Sequence, residues 1–348
     1  TYFSVMKVFF AEPPPAQAEG GLEQAMATLA TYFASQGLTL RRKTTMREIW
    51  EETPDLVHFH GLWQPAHAVI SGYCQIRGIP YIVSPHGMLE PWAWAHKSYK
   101  KRPYFRLVEK RHLNRASALL TTSGQEADNL RPFGLLTNIK TIPLPIPEKR
   151  APDYEQARAE LNWDRDTHVL LYLSRVHPKK GLHLLLKALT GLTDEKSQRF
   201  QLVVVGDGPA EYMERLRSYA QRHASSLPVI NWEGAVWGEQ KWRYLQGADL
   251  FCLPTYSENF GIVVLEALQV GTPVLTTDKT PWSFIGDWNG GIITEPDVVK
   301  IREGLRLWSR NQARYTPRHV LADRTTKEFA VGKLGKEYIR LYEKVAGV

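Results

Sequence analysis

The sequence predicts an α/β protein with two doubly wound parallel sheets. Three observations carry this. Short apolar runs recur at intervals of about 20 to 30 residues. They are nearly unbroken rather than alternating, as in strands covered on both faces. Helix-like segments separate them, and strand–helix alternation implies parallel sheets with right-handed crossovers.

In chain order the runs are "VMKVFFAE", "LVHFHG", "PYIVSPHG", "ALLTTS" and "NIKTIPL", then "HVLLYLSRV", "QLVVVGDG", "PVINWEG", "DLFCLPT", "PVLTTD" and "GIIT". Helices are predicted over Gly21 to Ser35, Pro65 to Arg77, Leu182 to Thr190, Glu211 to His223 and Ile262 to Val270. Between the two sets lies "IPLPIPEKRAPDYEQ", with Pro143, Pro145, Pro147 and Pro152, which reads as a hinge. The predicted division is 1–147, 148–325 and a terminal helix at 326–348. In that helix Val331, Leu334, Tyr338, Leu341 and Val345 recur at helical spacing, and it is expected to pack back toward the first domain. Both domains are expected to be Rossmann-like, facing across a cleft with ligands beyond the carboxyl ends of the strands.

A length of 348 residues suits two domains, and 43% hydrophobic with 23% charged residues is a soluble globular composition. No apolar run is long enough to span a bilayer, and the chain is expected to start on a strand without a signal peptide. Cys74 and Cys252 sit in apolar runs and read as reduced core residues, so the expected location is cytoplasmic. The net charge of +8 asks for an acidic partner. Lys97 to Arg115 holds eight Lys or Arg and one Glu. It reads as a solvated helix face, or as a patch for lipid headgroups that would hold the protein at the inner face of a membrane.

Residues just after strands carry the chemistry. Gly20 and Gly21 open a helix whose amides can approach an anion, or they form a plain loop. In "SRVHPKKGL", Arg175 and Lys180 flank a strand-to-helix turn and can grip a diphosphate. "VVVGDGPAEY" has Glu211 where a dinucleotide fingerprint needs its third glycine, and reads as a tight turn. "PTYSENFGIVVLEALQVGTPV" puts Glu258 in a loop and Glu266 about one turn into the following helix. Free amides from Phe260 to Val263 can take a phosphate. Two carboxylates would repel it unless each points at hydroxyls on either side, which outlines a nucleotide-sugar site. The plainer readings are a buried salt bridge for Glu266 and a helix cap for Glu258.

In this frame Glu258 and Glu266 resemble the E-x7-E motif of the family 4 glycosyltransferases, which have the GT-B fold. "SRVHPKKG" is similar to the family's G-R-[LV]-x-x-x-K-G, with Ser174 in place of the first glycine. "EGGLEQAMATLA", "SPHGMLEP" and "EALQVGTPVLTT" also fit, and the match covers nearly the whole chain. "IPLPIP" departs from the I-P-N-G of many members.

The resemblance implies a retaining, metal-independent hexosyltransferase in which Arg175 and Lys180 neutralise the departing diphosphate. It implies that Glu258 holds the donor hexose and Glu266 the ribose, and that backbone groups of Asn259, Phe260, Gly261 and Ile262 fix the sugar and phosphate. His86 would approach the donor, and Val236 in "NWEGAV" would lie by the base. The expected catalytic set is therefore His86, Glu258, Arg175 and Lys180. The expected donor is a UDP-hexose, UDP-glucose being the first choice, and no cofactor or metal is called for. The expected acceptor is a glycan in exopolysaccharide or envelope polysaccharide assembly; the basic stretch favours a lipid-linked one, with a soluble sugar as the alternative. His60, Trp63 and Trp92 are candidates for the acceptor side; core packing stands level with that role for His60 and Trp63, and is the plainer reading for Trp92.

Other classes fit less well. A dinucleotide enzyme lacks its fingerprint, and "VGKLGK" lacks the hydroxyl residue of a phosphate loop. Nucleic-acid binding would explain the charge but not the paired glutamates. A catalytically silent sugar-nucleotide binder shares the same binding residues. "DRD" (164–166) reads as turn chemistry rather than a metal motif. His58 and His60 share a strand face without the further ligands that a metal needs.

Overall fold

The computed structural model describes residues 6–12, 20–147, 154–192 and 199–348. The first five residues and the centre of the predicted hinge (148–153) lie outside the described residues. The chain divides into two compact units, Thr1–Pro147 with Phe329–Val348, and Glu148–Glu328.

Unit 1 holds β1 (Lys7–Ala11), β2 (Thr39–Arg41), β3 (Leu56–His60), β4 (Tyr81–Ser84), β5 (Ala118–Thr121) and β6 (Ile139–Thr141). Unit 2 holds β7 (Thr167–Leu173), β8 (Arg199–Val205), β9 (Val229–Gly234), β10 (Leu250–Leu253), β11 (Val274–Thr277) and β12 (Gly291–Thr294). Every strand pair is parallel. The orders are β2-β1-β3-β4-β5-β6 and β12-β11-β10-β7-β8-β9. The order in which strands are added reverses between β1 and β3 in the first sheet, and between β7 and β10 in the second. Those are the switch points at which doubly wound sheets open a crevice.

Each of the eleven apolar runs contains a strand, and the two doubly wound sheets are as expected. β3, β4, β5, β10 and β11 are buried at every position, which is why they read as unbroken runs. β2 was not foreseen: it is a three-residue edge strand with no buried residue. The five helices named from sequence match to within a residue or so.

The last helix, Val331–Ala346, belongs to unit 1. Its buried face carries Leu334, Gly335, Tyr338, Leu341 and Tyr342. Tyr338 and Tyr342 meet Phe33 of the helix Gly21–Ser35, with ring centroids 6.4 and 5.6 Å apart. Gly335 permits this approach, because a Cβ there would lie 2.3 Å from Cδ1 of Tyr32. Helix and hinge are also tied through backbone: Ile146 N–H donates to the Phe329 carbonyl (3.0 Å) and Val331 N–H to the Ile146 carbonyl (3.2 Å). In "IPLPIP" Ile142, Leu144, Pro145 and Ile146 are buried.

Candidate functional site

The switch point of unit 2 is built from two loops packed backbone to backbone. After β7 the chain makes a short 3-10 turn, Pro178–Lys180, and enters the helix Leu182–Leu189 through Gly181 at φ +74°. A Cβ on Gly181 would lie 1.9 Å from the Pro254 carbonyl oxygen, so no other residue fits without moving backbone. The loop after β10 locks onto the same turn. Tyr256 N–H donates to the Lys179 carbonyl (2.8 Å), and Thr255 Oγ1 lies 2.9 Å from that carbonyl oxygen.

This latch brings Lys180 and Glu258 together, and Nζ meets Oε2 in a direct ion pair. Both side chains are mostly buried. Gly261, at φ +75°, caps the helix Ile262–Gln269 without a side-chain cap, so Glu258 does not cap the helix. A Cβ on Gly261 would lie 2.7 Å from Cγ of Glu258. Trp282, fully buried, donates its indole N–H to the Phe260 carbonyl and packs its ring against Phe260 (5.1 Å). Val264 N–H bonds the Gly261 carbonyl (2.8 Å), which leaves Ile262 and Val263 as the first-turn amides outside the helical pattern.

Glu266 lies in the first turns of that helix, its side chain only 4% exposed, with Oε1 2.5 Å from Nζ of Lys241. The buried salt bridge considered from sequence is therefore present. Lys241 belongs to the helix Gly238–Gly247, which follows the β9 loop carrying the half-buried Val236. Arg175 is exposed at the end of β7, and no carboxylate among the described residues pairs with it. The glycines of "GDG" serve packing: a Cβ on Gly206 or Gly208 would lie 1.9 Å from the carbonyl oxygens of Ser174 and Val176. "DRD" is turn chemistry, since Asp164 accepts from the Asp166 N–H (3.1 Å) and the Thr167 hydroxyl (3.2 Å).

In unit 1 the ends of β3 and β4 bring two predicted residues into contact. His60 Nδ1 lies 2.9 Å from His86 Nε2. His58, one strand repeat before His60, bonds Tyr342 Oη (2.8 Å) through Nδ1 and Ser84 Oγ (2.8 Å) through Nε2. Burial pushes all three histidines down, His86 to about 4, so they are neutral at pH 7. His86 has a left-handed backbone, φ +49°, and the Gly87 N–H donates to buried Glu126 (2.7 Å). Gly20 and Gly21 begin the helix after β1 with no side-chain cap. Nearby, Arg42 holds Glu12 through two bonds of 2.7 Å and Glu23 through one of 2.9 Å.

Trp63 also has a left-handed backbone, φ +67°, a costly conformation for an aromatic residue. Its N–H donates to Glu109 Oε1 (2.7 Å), and Lys101 Nζ sits 5.6 Å over its ring. Trp92 stands apart on the helix Pro91–Ala95, 45% exposed. Glu109 is 2% exposed and closes a π-helical turn, Phe105–Glu109. It lies inside the basic stretch that reads from sequence as a solvated face. Lys241, Trp282, Arg42 and Glu109 carry no motif and were not singled out from sequence. Each is found only through its partner in space. Among the described residues no group of three or more His, Cys, Asp or Glu could hold a metal, and no helix is long and apolar enough to cross a membrane.

Comparison with known proteins decides the family. The Glycosyl transferase 4-like domain matches residues 6–145 and Glycosyl transferases group 1 matches 153–327. The chain belongs to the family 4 glycosyltransferases. TuaC of Bacillus subtilis (strain 168), provisionally named for teichuronic acid biosynthesis, is 31% identical over 304 residues, 84% of this chain and 71% of TuaC. The phosphatidyl-myo-inositol mannosyltransferase of Mycobacterium tuberculosis (strain CDC 1551 / Oshkosh) is 30% identical over 53% of this glycosyltransferase and 49% of its own length. Among solved structures, sucrose-phosphate synthase of Thermosynechococcus elongatus superposes with a TM-score of 0.78 at 18% identity, covering 97% of this chain and 98% of the other. Anabaena HepE, solved with UDP and glucose, gives 0.76 at 17%, covering 97% and 100%. These superpositions establish the GT-B fold.

Glu109 gives this glycosyltransferase a pH-dependent stability. Burial lifts its carboxyl from 4.5 to about 7, against the single amide bond from Trp63. The folded state therefore binds the proton more tightly than the unfolded state. The stabilisation is complete below pH 4.5 and is lost as pH rises through about 7, by about 3 kcal/mol at most. Glu109→Gln keeps an acceptor for Trp63 and removes the charge. Denaturant unfolding is expected to show wild type falling relative to Glu109→Gln between about pH 5 and 8. Parallel curves across that range would remove the effect.

Proposed function

We propose that the chain is a retaining, metal-independent hexosyltransferase that moves a hexose from a nucleoside diphosphate sugar to a glycan acceptor. The observation that carries this reading is the Lys180–Glu258 pair at the switch point of unit 2, with Glu266 eight residues further along. Lys180 exchanges Glu258 for the donor diphosphate, and Arg175 adds its unpaired guanidinium. Together they stabilise the charge that develops on the leaving group. Glu258, released, accepts from hydroxyls of the hexose. Glu266 accepts from the ribose while staying paired with Lys241. Backbone groups of Asn259, Phe260, Gly261 and Ile262 take the sugar phosphate, and those around Val236 the base. His86 is assigned to the hexose, and Gly20 and Gly21 to the donor, on the family resemblance alone. Transfer proceeds on one face of the sugar, with the leaving phosphate taking the acceptor's proton; trapping a glycosyl-enzyme would refute this.

UDP-glucose is the donor to try first, because HepE has been crystallised with it. The relatives' names favour an envelope glycan acceptor, lipid-linked, for exopolysaccharide or envelope polysaccharide assembly. The stretch 97–115 supports a membrane-facing role, since exposed Tyr99 and Leu107 accompany its cations. Sedimentation with phosphatidylglycerol vesicles, reversed by salt and absent with phosphatidylcholine, is the expected outcome; equal binding to both would reject the patch. A sugar-nucleotide binder without turnover would share the site, and sustained donor consumption excludes it.

Thermal unfolding with UDP, GDP, ADP and NAD, without metal, tests the donor side. One nucleoside diphosphate is expected to stabilise wild type strongly and Glu266→Gln weakly. Stabilisation by NAD alone would overturn the reading. Lys180→Ala is expected to lower kcat/KM about 10- to 100-fold, the loss of one charge-assisted hydrogen bond felt in the transition state. An unchanged kcat/KM would reject its role.

A further inference from the structure

His183 lies in the first turn of the helix Leu182–Leu189, three residues after Lys180. Leu182, Leu184 and Leu185 beside it are core residues, whereas the His183 ring meets two tyrosines. Its Nδ1 lies 3.0 Å from Tyr212 Oη and its Nε2 3.2 Å from Tyr256 Oη. The ring also stacks on Tyr256, with centroids 5.8 Å apart and planes 18° from parallel. Burial, with Lys187 nearby, pushes the imidazole down, so it is neutral at pH 7. A neutral ring has one N–H and one lone pair. It therefore donates a hydrogen bond to one tyrosine and accepts one from the other, and either tautomer makes both bonds.

The two tyrosines come from the strands that flank β7, since the sheet runs β10-β7-β8. Tyr256 lies in the loop after β10, two residues before Glu258. Tyr212 lies on the helix Ala210–Arg222, which follows the Gly206–Gly208 turn after β8. His183 thus spans the switch point from its centre. Tyr256 is held at both ends, its N–H on the Lys179 carbonyl and its hydroxyl on His183. Tyr212 is buried, and a buried hydroxyl is costly to leave unbonded, so it is a firm anchor for the ring. Glu258 is tied through its N–H to the Lys279 carbonyl (3.1 Å) and through its carboxylate to Lys180. On the proposed function the donor takes Lys180 away. The loop then depends on its backbone bonds and on His183.

We infer that His183 is a positioning residue: by bridging Tyr256 to Tyr212 it holds the Glu258 loop against the donor hexose once Lys180 has left Glu258 for the diphosphate. The bridge rests on the three rings alone. Its use in transfer rests on the proposed function.

The test compares His183→Phe, Tyr256→Phe and the double variant. Phenylalanine at 183 keeps a ring against Tyr256 but makes no hydrogen bond. Tyr256→Phe removes one hydroxyl from a residue that is 36% exposed, so a folding defect is not expected there. Amide hydrogen exchange without ligand is read at Tyr256 and Glu258. Each single variant should speed exchange there about 5-fold, and the double variant should exchange no faster than His183→Phe, because one bond is shared. UDP release from UDP-glucose, with water as acceptor, should fall about 5-fold in kcat, while Kd for UDP, which lacks the hexose, stays within about 2-fold. Unchanged exchange in Tyr256→Phe, or additive effects in the double variant, overturns the bridge. A loss of UDP affinity in step with kcat overturns the positioning of the hexose side. The expected exchange with no UDP release from the wild type leaves the bridge standing and overturns the proposed donor instead.

Discussion

The site in unit 2 depends on one steric constraint, the contact between the turn after β7 and the loop after β10. Gly181 has no room for a Cβ against the Pro254 carbonyl. The Lys179 carbonyl is held by the amide of Tyr256, with the Thr255 hydroxyl beside it. A switch point separates the helices that follow β7 and β10, and the latch closes only the backbone between their loops. Lys180 and Glu258 project from the two latched segments and are forced into one another's reach. The same economy of space governs Gly206, Gly208 and Gly261. Glycine is used here for approach distance.

Ion pairing explains how two carboxylates can sit in mostly buried positions near this latch. Glu258 carries Lys180 and Glu266 carries Lys241. An unpaired carboxylate at either place would suffer the full desolvation cost. A diphosphate brings its own negative charge, so it can compete for Lys180 only if Glu258 finds other donors. Sugar hydroxyls are such donors. On this account the pair is a selectivity device: it favours a ligand that carries phosphates and hydroxyls at once.

Much of the fold was legible because the inner strands are sealed on both faces. β3, β4, β5, β10 and β11 are buried throughout and read as unbroken apolar runs, whereas β2, short and unsealed at an edge, gave no run. Lys180, Glu258 and Glu266 were legible because strand ends and a helix start are visible in sequence. Their lysine and tryptophan partners were not. Lys241 reaches Glu266 from a different helix, and Trp282 reaches Phe260 across 22 residues, so neither pairing leaves a local pattern. Glu109 was hidden differently. Eight cations around it suggested a solvated face, yet a π-helical turn points its carboxyl inward to the Trp63 amide. The contact between His60 and His86 required the register of β3 with β4, which pairs His60 with Ser84, two residues before His86.

The central claim is that donor binding breaks the Lys180–Glu258 pair and divides its members between phosphate and sugar. A crystal structure with an intact, non-transferable UDP-hexose analogue tests it most directly. The account predicts Lys180 Nζ within hydrogen-bond distance of a diphosphate oxygen, and the Glu258 carboxylate on hexose hydroxyls. A bound donor with Lys180 and Glu258 still paired to each other would contradict it.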